Sequence, residues 1–479
     1  MIAVLYVYSY FVAGIALLLL LNGILATGMG PEGSAPAFLI SAALLLFAAG
    51  AINLAVRGRE RRLKPRERFV LAFGAYLTLP VLACVPVVVA MPDVAFLDAY
   101  FEAVSALTTT GWSALPEADR LPQSILLWRA LMQWMGGAMI LMIVIFILAP
   151  ARVGGLPDSQ AGPLDYSASV ERQRLGLALS RVLPLFAAFT SACFILLTLS
   201  GVQLLDAFTL ATAAVSTSGF TARTAPIGDY LPDSAIWIIT LFSVMSATSF
   251  LWLRRALRAE PAALSHRESF YVVGTVTVLG IMVAYMLLSA GGGGVTGNLR
   301  DGFSIAASIV STSGLEARTG GHATLPFALL LMLIFVGGAS FSTAGGIKMF
   351  RLGAMAVQSM RELVRLVYPH AIRAARFGTQ SYNIQTMKAI WSLLFAALSM
   401  ALLAGAALGF AEIPVDQAIL GGFGAVSNMA IGLFGEGNQL VRFETLPSVT
   451  KTALCFIMAM GRVEVLAALA IIYPPLWRG

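Results

Sequence analysis

The sequence predicts an all-α polytopic membrane protein, in which four pseudo-symmetric helix–pore helix–helix repeats surround a central pore and follow an N-terminal helix pair. The 479 residues are 58% hydrophobic and only 11% charged, with a mean hydropathy of +0.85, whereas about a quarter of the residues of a soluble domain are charged. Apolar runs long enough to cross a bilayer recur along the whole chain. A short polar phrase also returns four times, each time after an apolar run.

The first two apolar runs, at about 3–27 and 36–57, form the predicted N-terminal helix pair. The first run has neither a basic n-region nor a small-residue cleavage site, so we interpret it as a retained transmembrane helix rather than as a signal peptide.

The net charge of +7 indicates membrane topology rather than binding to nucleic acid. Basic residues cluster in connectors, and the loops between these connectors are comparatively acidic. By the positive-inside rule the basic connectors are cytoplasmic, and we expect both termini to be cytoplasmic and the membrane lipid to be a partner. The basic residues are Arg57, Arg59, Arg61, Arg62, Lys64, Arg66, Arg68, Arg152, Arg172, Arg174, Arg181, Arg254, Arg255, Arg258, Arg267, Arg351, Arg361, Arg365, Arg373 and Arg376.

Each cytoplasmic connector is followed by a unit that contains a long apolar helix, a short half-apolar stretch, a polar phrase and a second long apolar helix. The phrases are ALTTTGWSAL from Ala106, AVSTSGFTART from Ala214, IVSTSGLEART from Ile309 and AVSNMAIGLF from Ala425. The unit boundaries are predicted as 1–62 for the helix pair and 63–160, 161–262, 263–372 and 373–479 for repeats 1 to 4. Four units in one chain form a covalent pseudo-tetramer.

Each unit contains a short helix that cannot span the bilayer. The stretch from Asp98 to Leu107 is about ten residues, or roughly 15 Å of helix, against a hydrocarbon core of about 30 Å. Because aspartate is a good N-cap, we interpret Asp98, Asp206, Asp301 and Asp416 as helix starts rather than as ion ligands. Each short helix then ends in mid-membrane, where non-helical backbone is tolerated only if protein shields it or it lines a watery cavity.

The four polar phrases predict a cation filter. The short helices aim the negative ends of their dipoles at one axis, and a ring of oxygens can replace the hydration shell of an ion. Glycine with a positive φ lets successive carbonyls point the same way. A single phrase of this kind would be read as a turn, but four in register favour a functional ring. The candidate ion-binding residues are Thr108, Thr109, Thr110, Gly111, Ser216, Thr217, Ser218, Gly219, Ser311, Thr312, Ser313, Gly314, Ser427, Asn428, Met429 and Ala430.

The fourth phrase departs from the pattern, because Ala430 stands where the register predicts glycine. An L-residue with positive φ costs on the order of 1–2 kcal/mol, so this quarter of the ring is expected to be reshaped. Either Gly432 compensates or the register slips by one or two residues.

A glycine-rich loop (residues 337–346) interrupts the second helix of repeat 3, between about 325 and 347. A break of this composition at membrane depth should line a cavity, which predicts a flexible gate below the filter; the alternative is a kinked but fully packed helix. Lys348 is expected to snorkel to the cytoplasmic interface. The candidate gate residues are Gly337, Gly338, Ser340, Ser342, Thr343, Gly345, Gly346, Lys348 and Arg462.

Arg462 lies inside the apolar stretch 443–473, where an unpaired charge costs several kcal/mol. It therefore requires a partner, either Glu464 or carbonyls of the glycine-rich loop. Pairing with the loop would give Arg462 an electrostatic role in ion passage, and a purely structural buried pair is the alternative. Lys451 is expected nearer the outer end of the same helix.

Charged residues follow the phrases on their outer side. Glu316 and Glu436 are expected near the outer mouth, where they either concentrate cations or are solvated loop charges. Arg223 and Arg318, both in the sequence ART, are expected to brace the phrases through hydrogen bonds to carbonyls or acidic neighbours.

Beyond the phrases, QWMGGAMI from Gln133, GGASFSTAGGIKMFR from Gly337 and MGRVEVLAALAI from Met460 give nearly the whole chain a resemblance to the TrkH/KtrB/HKT superfamily of potassium transporters, and most to its bacterial TrkH branch. The resemblance implies the four-repeat fold, K⁺ bound at the polar phrases as the transported ion, and an arginine, here Arg462, below the filter. It also implies a homodimer in the bacterial inner membrane and a separate, TrkA-like cytoplasmic nucleotide-binding regulatory subunit.

Two functions from different classes follow. The first is the K⁺-translocating subunit of a Trk-type uptake system, whose coupling is left open between passive flow and symport with H⁺ or Na⁺. The second is a member of the same fold that is permeable to sodium, or that does not conduct and acts as a scaffold or sensor. Ala430 in the fourth phrase is the reason for this alternative. An enzyme is disfavoured, since no Ser–His, paired-Asp or HExxH arrangement is visible in the helices. The scattered Cys84, Cys193 and Cys455 predict core packing without disulfides, and no cofactor is expected to bind this chain.

Overall fold

The computed structural model describes residues 2–28, 34–56, 63–149, 153–155, 171–261, 266–291, 294–368, 376–377, 380–381, 384–435 and 439–472. Nearly all of the described secondary structure is helical, and the two strands have two residues each and pair antiparallel. The elements are α1 (Ile2–Ala26), α2 (Ser34–Val56), α3 (Pro65–Ala90), α4 (Phe96–Leu107), α5 (Gln123–Ile143), α6 (Glu171–Leu199), α7 (Leu204–Ser216), α8 (Ile227–Tyr230), α9 (Asp233–Ala247), α10 (Phe250–Leu257), α11 (Arg267–Ser289), α12 (Val295–Ser311), α13 (Phe327–Val336), α14 (Met349–Val367), β1 (Arg376–Phe377), β2 (Gln380–Ser381), α15 (Ile384–Gly409), α16 (Val415–Ser427), α17 (Ser448–Arg462) and α18 (Val465–Ile472).

Seven of these helices are long and apolar enough to cross a membrane, and an eighth span results if α9 and α10 are taken as one bent helix. The protein is therefore a multi-pass membrane protein. Large apolar side chains such as Phe47 and Leu199 are 78% exposed on the outer helices, where lipid would cover them. Cys84, Cys193 and Cys455 are free and buried.

The N-terminal pair α1 and α2 packs as a hairpin against α3 and α5. Gly23 lets the two helices approach closely, since a methyl group there would lie 2.7 Å from the Leu39 side chain. Asn22 Nδ2 donates to the Ser124 carbonyl, and Ser34 Oγ donates to Ser124 Oγ, at 3.1 and 2.8 Å. These bonds fix the pair to the start of α5 in repeat 1.

The short helices of the four repeats are α4, α7, α12 and α16. They have 12, 13, 17 and 13 residues, which corresponds to roughly 18–26 Å. They are longer than the ten residues predicted but still shorter than the hydrocarbon core. Their C-terminal halves are almost entirely buried, so each short helix ends inside the protein.

The prediction that an aspartate caps each short helix is wrong. The N-cap positions are Ala95, Gln203, Gly294 and Pro414. Three of the aspartates lie in the first helical turn, where a carboxylate is stabilised by the helix dipole, and Asp301 lies further along α12. Three of the four also have cationic partners: Asp98 binds Lys451, Asp206 binds Arg223, and Asp301 binds Arg300.

The second helix of a repeat is continuous only in repeat 1, where α5 runs into a π-helical turn at Val144–Leu148. In repeat 2 the axes of α9 and α10 differ by 109°. In repeat 3 the glycine-rich loop separates α13 from α14, and in repeat 4 a break at Val463 and Glu464 separates α17 from α18. The second long helix predicted for repeats 2 and 4 is therefore corrected, and the interruption predicted in repeat 3 is present.

Candidate functional site

The four polar phrases meet at one place. A methyl group on Gly111 would lie 2.6 Å from the Gly219 nitrogen, and one on Gly314 would lie 2.0 Å from the Ala430 carbonyl oxygen. A methyl group on Gly219 would lie 2.5 Å from Ala430 Cβ and 3.0 Å from the Ser313 carbonyl oxygen. Trp112 Nε1 also donates to the Ile431 carbonyl at 3.0 Å, which joins phrase 1 to phrase 4. Phrases that are 95 residues or more apart in sequence are therefore brought together as a closed ring.

Each phrase begins with the same helix ending. The left-handed residue is Thr109, Thr217, Thr312 or Asn428, with φ of 56°, 55°, 57° and 53°. The residue that follows donates its N–H to the carbonyl five positions earlier, in a bond that closes a left-handed helix terminus. These bonds join Thr110 to Ser105, Ser218 to Ala213, Ser313 to Ser308 and Met429 to Gly424.

This ending corrects the expectation for Ala430. Only Gly111 and Gly314, with φ of 91° and 71°, are left-handed at the glycine position. Gly219 and Ala430 are not, so alanine carries no backbone strain there. The strained position lies two residues earlier, and in the fourth repeat it holds asparagine, a residue type that tolerates this conformation better than threonine does.

The phrases present unbonded oxygens. Among the described residues, the carbonyls of 108–111, 217–219, 311–314 and 427–430 accept no hydrogen bond, and the Ser216 carbonyl accepts one from Thr217 Oγ1. The buried hydroxyls of Thr109, Ser218, Ser313 and Ser427 also lack a partner in the described part of the chain. Oxygens in this state are suited to replace the water of a cation.

The fourth phrase contributes an amide where the others have hydroxyls. Asn428 Nδ2 donates to Thr110 Oγ1 at 3.1 Å and to the Met458 carbonyl at 2.8 Å. Met429 is fully buried in the apolar core. Asn428 therefore ties phrase 4 to phrase 1 and to α17.

The glycine-rich loop lies directly against the inner side of the ring. Thr343 Oγ1 donates to the carbonyls of Val215 and Ser246, and the Gly345 N–H donates to Thr312 Oγ1 at 2.7 Å. A methyl group on Gly345 would lie 1.7 Å from the Ser427 carbonyl oxygen. The loop thus contacts the ends of α7, α12 and α16.

Glu268 at the start of α11 anchors the loop. Its Oε1 accepts from the Ser340 N–H at 2.6 Å, from Ser340 Oγ at 3.0 Å and from the Phe350 N–H at 3.2 Å. Gly337 and Gly346, with φ of 67° and 74°, lie against each other where the loop leaves and rejoins the helices. One carboxylate therefore holds both ends of the loop.

Lys348 does not snorkel to the interface, as the sequence had predicted. It is 8% exposed, and its ammonium group donates to the Ala344 carbonyl. A loop carbonyl one turn back offers this cation a closer partner than bulk water does.

Arg462 is not paired with Glu464 or with loop carbonyls, which corrects both expected partnerships. Its Nε and Nη2 have no hydrogen-bond partner in the described part of the chain, and it lies beside Tyr76 of α3 without a well-directed bond. Glu464 instead binds Arg351, a residue that the sequence analysis assigned only to topology. Arg351 is 1% exposed and contacts both Glu464 oxygens at 2.7 and 2.6 Å.

Arg351 also donates to the carbonyls of Gly154 and Ile347, both at 2.8 Å. It therefore joins the helix after the glycine-rich loop to repeat 1 and to the break in repeat 4. In the sequence, the only sign that Arg351 joins these elements is its charge at the end of the motif GGASFSTAGGIKMFR.

On the outer side, a cavity of about 280 Å³ reaches down to Gly111, Gly219, Gly314 and Ala430 and is also lined by Glu316. Arg223 Nε donates to Asp206 Oδ2 at 2.9 Å. The side chain of Arg318 is exposed and makes no hydrogen bond or ion pair with the described residues, although its carbonyl accepts from the Gly321 N–H. Glu436 lies outside the described residues. Lys451 lies near the outer start of α17, as expected.

A Ser–His–Glu row, which the sequence analysis did not find, lies beside phrase 3. His322 Nε2 is 3.1 Å from Ser308 Oγ, and Nδ1 is 3.3 Å from Glu316 Oε1. Ser308 and His322 are each only 3% exposed and do not line the outer cavity. The row is therefore a packing contact behind the ring, with no serine presented to a substrate.

A second missed feature is the buried pair Glu102 and Arg129 behind phrase 1. Glu102 is fully buried on α4, Arg129 is 3% exposed on α5, and Arg129 Nε lies 2.6 Å from Glu102 Oε1. The only sequence signal was a charge in each of two otherwise apolar stretches.

Comparisons with known proteins agree with this architecture. The family model TrkH, described as a cation transport protein, matches residues 35–277 and 317–473. The Trk system potassium uptake protein TrkI of Halomonas elongata is 29% identical over 93% of this chain and 91% of its own length, and the Trk system potassium uptake protein TrkH of Vibrio parahaemolyticus is 28% identical over 93% of each. The crystal structure of the potassium transporter TrkH from Vibrio parahaemolyticus superposes with a TM-score of 0.88 at 24% identity, over 100% of this chain and 99% of that one. The predicted fold class is confirmed.

Proposed function

Since the chain belongs to the TrkH family of cation transport proteins, we propose that it is the K⁺-translocating membrane subunit of a Trk-type uptake system. The relatives named above are potassium uptake proteins. The observation that carries the proposal is the ring of four polar phrases, in which the carbonyl oxygens of 108–111, 217–219, 311–314 and 427–430 accept no hydrogen bond within the described chain.

Conduction through this ring is channel-like. A K⁺ ion enters the outer cavity beside Glu316, where a carboxylate raises the local cation concentration. It then exchanges its water for the carbonyls and hydroxyls of residues 108–111, 216–219, 311–314 and 427–430. The ion is the cargo of the protein, and no resident metal or cofactor takes part.

The glycine-rich loop is the gate in this proposal. Gly345 lies against the Ser427 carbonyl and Thr343 against the Val215 carbonyl, so an ion that leaves the ring meets the loop. The loop must move away for ions to pass, and the left-handed glycines Gly337 and Gly346 at its ends can change their backbone angles at low cost. Arg462, whose Nε and Nη2 have no hydrogen-bond partner in the described part of the chain and whose charge acts on Lys348 at the end of the loop, repels cations beside the closed loop.

The proposed assembly is a homodimer in the bacterial inner membrane, with both termini in the cytoplasm and a separate nucleotide-binding subunit below. Basic side chains on α10 and α14 support a cytoplasmic docking face: the half-buried Arg254 and Arg255 lie in the last turn of α10, and the exposed Arg365 lies in the last turn of α14.

Growth on limiting K⁺ tests the proposal. A bacterium without its own K⁺ uptake systems would express the chain with and without a regulatory partner, and tracer uptake of Rb⁺ and Na⁺ would be measured in parallel. Rescue with Rb⁺ preferred over Na⁺ is expected. Sodium uptake without rescue would favour the sodium-permeable alternative, and no flux of either ion with the protein in the membrane would favour a non-conducting scaffold.

A bulky substitution in the ring, paired with the same substitution outside it, tests whether the ring is the ion path. Gly219→Leu should abolish Rb⁺ uptake, because even a methyl group at this position lies 2.5 Å from Ala430 Cβ. Gly274→Leu on α11 is the control, since nothing lies within 4 Å of a methyl group there, and its uptake should match wild type. Equal uptake by the two variants would contradict the assignment of the ring as the ion path.

A further inference from the structure

The buried pair of Glu102 and Arg129 lies behind phrase 1 and holds the backbone that follows it. Glu102 Oε2 accepts from the Ala114 N–H at 2.9 Å and from Ser113 Oγ at 3.1 Å. Arg129 Nη2 donates to the same Ser113 hydroxyl at 2.7 Å. Ser113 is two residues after Gly111, so both charges act on the segment that sets the position of this ring member.

Arg129 also reaches the second repeat. Its guanidinium carbon lies 5.1 Å from the centre of the Phe220 ring, and Phe220 directly follows Gly219. Gly111 and Gly219 touch each other in the ring. Arg129, Gly111 and Gly219 also line one outer cavity of about 390 Å³. The pair thus contacts the chain immediately after two neighbouring ring members.

The other three repeats have no charge at the equivalent place. Glu102 stands nine residues before Gly111, and the residues nine before Gly219, Gly314 and Ala430 are Leu210, Ile305 and Gly421. An apolar pair would satisfy packing at this depth equally well, because burying two charges costs solvation that their attraction barely repays. The use of charges in repeat 1 alone points to positioning rather than to stability.

We propose that Glu102 and Arg129 are positioning residues that set the spacing of the ring between repeats 1 and 2 and thereby its discrimination between K⁺ and Na⁺. The inference rests on the proposed function. A ring whose members can relax inward fits the smaller Na⁺ better. Weakening the contacts of Glu102 and Arg129 should therefore lower the preference for K⁺ over Na⁺ more than it lowers total ion uptake.

Three variants test the brace at increasing severity. Ser113→Ala removes the shared hydroxyl and keeps both charges, Arg129→Lys keeps the charge but loses the forked contact, and Glu102→Gln removes the negative charge at nearly constant shape. Each protein is reconstituted in liposomes, and Rb⁺ and Na⁺ uptake are measured per folded protein. The Rb⁺/Na⁺ uptake ratio should fall in all three, by roughly tenfold in Glu102→Gln. Because Ser113→Ala leaves the ion pair intact, its Rb⁺/Na⁺ uptake ratio can still be measured if the two charge variants fail to fold.

Arg300→Gln is the matched control, because Arg300 forms ion pairs with Asp301 of repeat 3 and Asp233 of repeat 2, and its ratio should equal that of wild type. Lower Rb⁺ and Na⁺ uptake in equal proportion, with an unchanged ratio, would assign the pair a merely structural role and overturn the inference. Absence of Rb⁺ uptake by the wild-type protein would instead contradict the proposed function itself.

Discussion

At the scale of single residues, the ring depends on where side chains are missing. Gly219 does not have a positive φ, so backbone conformation does not require glycine at this position. Glycine is required because Ala430 Cβ occupies the volume that a methyl group on residue 219 would fill. The alanine of repeat 4 and the glycine of repeat 2 are therefore complementary. Ala430 is accommodated in the ring instead of reshaping it.

This complementarity predicts the result of an exchange. Gly219→Ala should lower Rb⁺ uptake by about one to two orders of magnitude, since overpacking typically costs about 1–3 kcal/mol. Ala430→Gly alone should keep uptake, and the double variant with both substitutions should recover most of what Gly219→Ala loses. Uptake as low in the double variant as in Gly219→Ala would show that the two positions are not coupled.

Sequence reasoning could find the ring but not its backbone geometry. The phrases were found because Ser, Thr and Gly recur in register after each apolar run. The left-handed residue could not be located, because helix endings with threonine at positive φ, as at Thr217 and Thr312, contradict the residue preferences on which such a prediction depends. The partner of Arg462 was mistaken because proximity in sequence does not determine contacts across repeats. The expectation for Lys348 was wrong for another reason, since the nearby carbonyl of Ala344 binds its ammonium group inside the protein.

At the scale of elements, the glycine-rich loop is held by few but specific bonds. Thr343 donates to carbonyls at the ends of α7 and α9, and Glu268 of α11 holds residues on both sides of the loop. The loop was predictable from its four glycines. Its anchors were not, because Glu268 lies about seventy residues before it in sequence.

Weakening an anchor should open the loop. Thr343→Val keeps the shape of the side chain and removes the single hydroxyl proton that the Val215 and Ser246 carbonyls share, a hydrogen bond that contributes about 0.5–1.5 kcal/mol net. Rb⁺ uptake measured without any regulatory partner should rise several-fold, up to about tenfold. Thr277→Val is the control, because Thr277 is exposed on α11 and bonds only within its own helix. Unchanged uptake in Thr343→Val would contradict a closed state stabilised by this loop.

At the scale of the whole molecule, the repeats share a plan but diverge in their second helices. The recurring polar phrases predicted the repeat number, and the long apolar runs predicted the N-terminal pair. Neither signal could predict the 109° bend between α9 and α10 or the break before α18, since the length of an apolar run does not show whether the helix within it is continuous. Arg351 joins the end of the glycine-rich loop in repeat 3 to the break before α18 in repeat 4, because it binds both the Ile347 carbonyl and Glu464. These contacts cannot be read from the sequence.

Acidification should destabilise the folded protein through the connection between α10 and α11. Burial, and then the positive charge of Arg255, lower the pKa of His266 to about 4, compared with about 6.5 in an unfolded chain. The folded protein binds this proton more weakly than the unfolded chain does, so the contribution of His266 is fully present above pH 6.5 and is lost as the pH falls toward 4.

Thermal unfolding of the detergent-solubilised protein measures this effect. His266→Asn keeps an acceptor for the Ser269 N–H that the imidazole now caps and does not titrate. The melting temperature of wild type should therefore fall relative to that of His266→Asn between pH 6.5 and 4. Parallel melting curves over this range would exclude His266 as a source of acid sensitivity.

All four ring phrases belong to one chain, so they are synthesised one after another. Chains are made, and generally fold, from the N-terminus onward, and the last repeat supplies both Ser427, which lies against Gly345, and Glu464, which binds Arg351. A nascent chain that has inserted only three repeats holds three of the four phrases and lacks the acid that Arg351 binds. Under the proposed function, a copy without the fourth repeat therefore has no complete ring, and the ion path can form only after that repeat has been inserted.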